Sequence, residues 1–310
     1  MGKVATPQVR LATAKDRDQI LRFVEDQGFN PRDTRTWDAL EMGAATAWRG
    51  SELIGAIPYE PRRYRGVNGA WAARHESVVA VHPDWRNQGI GSRMQTALTE
   101  AHGSPLSVFR EQPESDAYRW YAKNEFSRQE TIESWFLDPQ PVDASPALVW
   151  RPEEARVPEL ELHELWTRCH ERAHGFVERD DRPLFAWLTV HPYRDRYDFE
   201  VLTLGEGSNV RGYALLGVGV LHSDTTRIDI LDFAFADEPV LVELIAAVEA
   251  HGAKRGYRPV RWPIAQGDTL CRHVAESRGY ENRWSFDFLT HGVEEGAPTG
   301  PSRYFGLDYI

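Results

Sequence analysis

The residues whose types and spacing carry the most chemistry are Arg86, Gly89 and Gly91. They lie in the run Val78-Val79-Ala80-Val81-His82-Pro83-Asp84-Trp85-Arg86-Asn87-Gln88-Gly89-Ile90-Gly91-Ser92. The apolar stretch Val78 to Val81 predicts a buried strand, stopped by His82-Pro83-Asp84, and a helix is expected from Ser92 to His102. Two glycines flanking one residue at a strand-to-helix turn leave several backbone N–H groups unshielded, at the positive end of the helix dipole. Such a turn suits a phosphate, and Arg86 adds a charge for its oxygens. The plain alternative is an ordinary glycine-containing turn of an α/β domain. Two familiar phosphate loops are excluded. One needs Gly-Lys-Ser/Thr where this chain has Gly91-Ser92-Arg93, and the other needs a third glycine where Met94 stands.

Other suggestive residues carry less. His163, His170 and His174 fall at helical spacings with Glu171 and Glu178, but the His-Glu-x-x-His order of a metal helix is absent, so a solvated or interface face is expected and no metal. Trp85 could stack on an adenine or pack the turn. Cys169 and Cys271 are the only cysteines, which excludes a disulfide framework and speaks against a cysteine-based zinc site.

The elements that must position the turn follow from pattern. Val9–Thr13 predicts a first strand. Asp16–Gln27 predicts a helix with Ile20, Leu21 and Val24 on one face, closed by Gly28. Ala44–Trp48 and Glu52–Tyr59 read as strands joined at Arg49-Gly50-Ser51. The basic stretch Arg62–Trp71 reads as a loop, and Ala72–Val81 as the strand entering the turn. After the helix come a strand at Leu106–Phe109, a helix at Ser115–Glu125 and a strand at Ser127–Leu137. Asp138 to Pro146 contains three prolines and reads as a stiff linker.

At 310 residues, 41% apolar and 11% aromatic, the chain is expected to bury cores in about two domains. A net charge of −11 disfavours nucleic-acid binding through phosphate neutralisation and leans toward a cationic substrate. No apolar run is long enough to cross a membrane and the first residues lack a signal-peptide core, so a cytoplasmic protein without membrane contact is expected. The apolar tail Arg303 to Ile310 is expected to dock on one of the domains or on a second copy of the chain, which leaves a homodimer open.

Arg86-x-x-Gly89-x-Gly91 resembles motif A of the Gcn5-related N-acetyltransferases, Arg/Gln-x-x-Gly-x-Gly/Ala. Ala117-x-x-Trp120-Tyr121-x-Lys123-x-x-Phe126 is similar to a second family signature, with Glu125 in the usual glycine position. The resemblance spans roughly residues 9 to 137. It implies a mixed α/β fold with a mostly antiparallel central sheet flanked by helices, and acetyl-CoA as co-substrate. Arg86, Asn87, Gln88, Gly89, Ile90, Gly91 and Ser92 would hold its pyrophosphate, and the backbone of Val79, Ala80 and Val81 its pantetheine arm. Tyr121 matches the tyrosine that protonates the departing sulfur, although a core tyrosine packing its helix is the alternative; Tyr118 is a weaker candidate. For the base the family often has a glutamate where this chain has His75, with Glu76 beside it. Strand alternation lets only one face the substrate, and the sequence does not choose.

The second half resembles a worn copy of the first. At a constant offset of 154, Val81 falls on Phe235, Leu106–Phe109 on Val260–Pro263, and Phe126 on Tyr280. Arg86, Gly89 and Gly91 fall on Val240, Glu243 and Ile245, which close the phosphate turn. The expected organisation is therefore two tandem acetyltransferase-like domains: residues 1–138 with the intact motif, a linker at 139–147, and a degenerate domain at 148–310. The expected function is transfer of an acetyl group from the CoA thioester to a primary amine, a small molecule or a peptide, by direct attack. The second domain would shape the acceptor site or an interface. A CoA-binding sensor or scaffold without turnover is the alternative.

Overall fold

Two long strands decide how this chain divides. The computed structural model describes residues 6–29, 33–103, 105–111, 115–144, 146–152, 158–178, 188, 191, 194–205, 209–220, 226–293, 302, 303 and 305. It resolves into two compact units, one of residues 1–63, 71–129 and 288–294, the other of 64–70, 130–287 and 295–310. The linker at 139–147 therefore does not separate them. Strand β7 (Ser127–Leu137) starts in the first unit and continues in the second, and β13 (Glu281–His291) does the reverse.

In the first unit β1 (Gln8–Leu11), β2 (Gly43–Arg49) and β3 (Glu52–Gly66) run antiparallel, followed by β4 (Gly69–Glu76) and β6 (Leu106–Glu111). β4 and β6 are parallel. The end of β13 comes next and the start of β7 last. The short β5 (Ala80–Val81) pairs with β3. Among the described residues four α-helices complete the unit: α1 (Arg17–Asp26), α2 (Thr34–Ala39), α3 (Ile90–His102) and α4 (Asp116–Lys123). α3 buries Ile90, Met94 and Leu98, a stripe at four-residue spacing, against Ile54, Ile57, Leu106 and Val108 of the sheet. Each such side chain contributes roughly 1.5–3 kcal/mol of burial.

Two expectations need correction, and one helix had no expectation at all. Arg62–Trp71 is not a loop: β3 runs on to Gly66 and β4 begins at Gly69. Arg62 is buried because its Nε donates to Glu60 Oε1 at 2.6 Å, so its charge is answered inside the sheet. Ala72–Val81 is not one strand, since residues 77–79 interrupt it between β4 and β5. α2 carried no apolar periodicity to announce it, and its N-cap Asp33 accepts the Thr36 N–H at 2.7 Å.

The second unit repeats the arrangement. Its strands run β8 (Leu148–Trp150), β9 (Tyr197–Leu204), β10 (Gly212–Gly219), β11 (Arg227–Phe235) and β12 (Val260–Ala265), then the end of β7 and the start of β13. β11 and β12 form its parallel pair. α5 (Glu159–His170), α6 (Glu238–Arg255) and α7 (Thr269–Ser277) flank them. The strand beside β6 in the first unit is thus β13, and the strand beside β12 in the second is β7: the two repeats have traded their closing strands.

α4 ends through Glu125, whose φ of 63° is left-handed, whereas Gly279 holds the equivalent turn after α7 at φ 83°. A non-glycine residue is strained there. Glu125→Gly is expected to stabilise the protein by about 0.5–1 kcal/mol in a denaturant midpoint measurement, and Gly279→Glu to destabilise it by at least as much.

Candidate active site

The glycine turn is built by backbone conformation more than by side-chain contacts. After β5 a 3₁₀ turn (Pro83–Trp85) is followed by Asn87 at φ 59° and Gly89 at φ 74°, both left-handed, and α3 starts at Ile90. The first helical bond, Arg93 N–H to Gly89 O, measures 3.0 Å. The N–H groups of Ile90, Gly91 and Ser92 therefore lie ahead of any intrahelical acceptor, at the positive end of the helix dipole, and no side chain caps them. The two glycines serve different ends. Gly89 is needed for its φ, and a Cβ there would meet nothing. A Cβ on Gly91 would come within 3.3 Å of the Trp120 indole. Arg86 is exposed at the rim, its Nε donating to Val81 O at 3.0 Å, with Asn87, Gln88 and Gly89 beside it. Trp85 packs on the core with the Arg49 guanidinium 5.4 Å from its ring centre, so the structure shows the packing role.

Upstream of the turn, β4 and β6 pair only at Arg74↔Leu106 and His75↔Ser107. Beyond that point one arm is carried by Val79, Ala80 and Val81 and the other by Val108 to Arg110. Ala80 is buried; Val79 and Val81 are half-buried against the core of α3 and α4.

At the start of this gap the structure gathers four polar side chains. The Tyr121 hydroxyl donates to Glu76 Oε2 at 3.2 Å. Gln95 Nε2 donates to Glu76 Oε1 at 2.5 Å. Arg110 Nη2 donates to the Tyr121 oxygen at 2.8 Å, and its guanidinium lies 4.8 Å from the centre of the same ring. Glu76 and Tyr121 are each 1% exposed. Two buried polar atoms of this group, Gln95 Oε1 and Arg110 Nε, have no hydrogen-bond partner among the described residues. His75 does not join them. It lies on the opposite face of β4, Nδ1 3.1 Å from Ser107 Oγ and its ring 5.3 Å from that of Phe109. Gln95 and Arg110 were not singled out in the sequence. The available signal was position: Arg110 shares a strand face with Val108, and Gln95 follows the buried Met94 on α3.

Burial governs the acid–base state of the pair. Removal from water pushes the Glu76 carboxyl up to about 7, against the opposing pull of Gln95, Arg110 and Tyr121. The same desolvation raises the Tyr121 hydroxyl above its ordinary value, so it stays protonated as a donor, while Arg110 draws it down. The folded protein thus keeps the Glu76 proton up to about pH 7, and the unfolded chain only through the ordinary carboxyl range. This group favours folding at acid pH and works increasingly against it as pH rises to about 7. Glu76→Gln is expected to flatten that part of the stability–pH curve and to be the more stable protein at pH 8, by thermal unfolding across pH 4–8.

The second unit lacks this chemistry. At the offset of 154, Glu76, Arg110 and Tyr121 become Ile230, Ile264 and Ala275. The first turn of α6 is capped by Asp237, which accepts the Val240 N–H at 3.0 Å, and Glu243 is held by Arg211 at 3.0 Å. Among the described residues no cluster of His, Cys, Asp or Glu could hold a metal. His170 accepts from Arg303 at Nδ1 and faces Phe233 O through Nε2. No helix of the described residues is long and apolar enough to cross a membrane.

The parted parallel strands, the glycine turn into a helix and the buried Glu–Tyr pair are the features of the first unit to set beside known proteins. Residues 43–128 match the family model described as acetyltransferase (GNAT) domain. The whole chain is similar in fold to a GCN5-related N-acetyltransferase from Anabaena variabilis, at 14% identity and a TM-score of 0.69, covering 93% of this chain and 73% of that one. It is similar to a GCN5-related N-acetyltransferase from Kribbella flavida at 16% identity and 0.62, covering 92% and 71%. It also resembles the Saccharomyces cerevisiae N-myristoyltransferase with bound myristoyl-CoA, at 8% and 0.59, covering 99% and 88%. At these identities the likeness is one of fold. No curated protein matches the sequence.

Proposed function

We propose that the protein is an N-acyltransferase that moves an acetyl group from CoA to a primary amine, with chemistry confined to the first unit. The observation that carries this reading is the hydrogen bond between Tyr121 and Glu76 at the head of the gap between β4 and β6. The open N–H groups of Ile90, Gly91 and Ser92, with Arg86, support a pyrophosphate site, and the backbone of Val79 to Val81 would take the pantetheine arm. The unpartnered Gln95 Oε1 and Arg110 Nε mark where a polar group of a substrate completes the network.

In this mechanism the Glu76 carboxylate accepts a proton from the attacking amine nitrogen, and Tyr121 gives its hydroxyl proton to the departing sulfur. Arg110 stabilises the resulting phenolate. The Glu76 proton then passes along the existing hydrogen bond to the phenolate oxygen. One proton has moved from nitrogen to sulfur, and both residues return to their starting state. Glu76 rather than His75 is the base. Its raised carboxyl makes the rate rise with pH through about 7.

The test is thiol release from acetyl-CoA across small amines, amino acids, peptide N-termini and lysine peptides. Release with at least one class supports the reading. Tight CoA binding without release from any class would assign the protein as a sensor instead.

A further inference from the structure

The second unit repeats the gap of the first, and something of this chain already sits in it. β11 and β12 pair only at Ile228↔Val260 and Asp229↔Arg261, the exact counterparts of residues 74, 106, 75 and 107. Beyond that point the arm that carries Val79 and Val81 in the first unit carries Phe233 and Phe235. The Arg303 guanidinium lies over both rings, at 5.9 and 5.0 Å from their centres, and the Phe305 ring is 5.7 Å from that of Phe233.

This is a built seat. Arg303 is 5% exposed. Its Nε donates to Asp268 Oδ2 at 2.8 Å, and its Nη1 to His170 Nδ1 at 2.8 Å and Cys169 Sγ at 3.4 Å. Its backbone N–H donates to His174 O at 2.8 Å. Asp268 is itself buried and fixed as the N-cap of α7. Two glycines make room for Ser302: a Cβ on Gly175 or Gly267 would come within 3.0 Å of its side chain.

We propose that this gap is a binding site for an arginine-bearing peptide segment, filled here by the chain's own Ser302, Arg303 and Phe305. Naming it the counterpart of a donor gap rests on the function proposed for the first unit; the seat does not.

The experiment uses the chain ended after residue 300, the full chain, and a labelled peptide of residues 300–310. The shortened chain is expected to bind the peptide at one site and unfold at higher temperature with it. The full chain, already occupied, is expected to bind it at least tenfold more weakly. A peptide carrying Arg303→Ala should bind about 100-fold more weakly, because Asp268 is then buried without its partner. Phe235→Val, which copies Val81, should also weaken binding. Equal binding of both peptides, or equal binding by full and shortened chains, overturns the proposal. If the shortened chain does not fold, limited proteolysis of the full-length Arg303→Ala and Asp268→Asn proteins decides: faster cleavage of the tail than in wild type supports the seat, and unchanged cleavage overturns it. Acetyl-CoA titrated into the same proteins reports on the first unit separately.

Discussion

Tyr121→Phe is expected to lower kcat by about 100- to 10,000-fold, the range for losing a positioned proton donor, while the affinity for acetyl-CoA changes less than about threefold. The ring is packed edge-on between Trp120 and Phe126, and phenylalanine keeps those contacts, so folding is preserved. What disappears is the hydroxyl between Arg110 and Glu76. Arg110→Met should reproduce part of the loss, and more of it with acyl donors whose thiols are poor leaving groups, since those depend most on proton delivery to sulfur. Steady-state kinetics with thiol detection, beside calorimetry for the donor, separates rate from binding. A Tyr121→Phe protein with wild-type turnover would leave the tyrosine as a packing residue and remove the acid from the mechanism.

The double variant Gly89→Glu, Gly91→Ile is expected to abolish detectable acetyl-CoA binding, a loss of at least about 100-fold. It writes the residues of the second unit into the first. Three effects add: a side chain at φ 74°, a carboxylate facing the pyrophosphate, and a β-branched residue whose Cβ meets Trp120 at 3.3 Å. Gly91→Ala alone tests the contact with Trp120 without the charge and should cost far less. Undiminished binding in the double variant would put the donor somewhere other than this turn.

The sequence made the glycine turn, its helix and the order of the first unit's elements legible because each has a local signal: periodicity, capping, or a glycine at a required φ. The choice between His75 and Glu76 had no such signal. Counting back from Val81 by twos puts His75 on the side of Val79 and Val81, and strict alternation gives Glu76 the other face. The interruption at residues 77–79 reverses that parity, so it is Glu76 that meets Tyr121 on the side of α3 and α4. Arg110 was hidden for a related reason: its role depends on which strand lies across the gap, a long-range fact. The tail was legible in outline, since Arg303 and Phe305 are buried in the second unit, but the partners of Arg303 come from three separate stretches of chain.

The traded closing strands also set a timetable. The sheet of the first unit is completed by residues 288–291, which leave the ribosome long after β6 and the start of β7 have emerged. Until then both flanks of that slot present unpaired strand edges, which invite pairing with another chain. The acyltransfer chemistry proposed above belongs to the first unit, yet that unit reaches its final form only when nearly the whole repeat behind it has been made. Each half needs a strand that the other half's stretch of chain supplies, so the two must be synthesised and folded together.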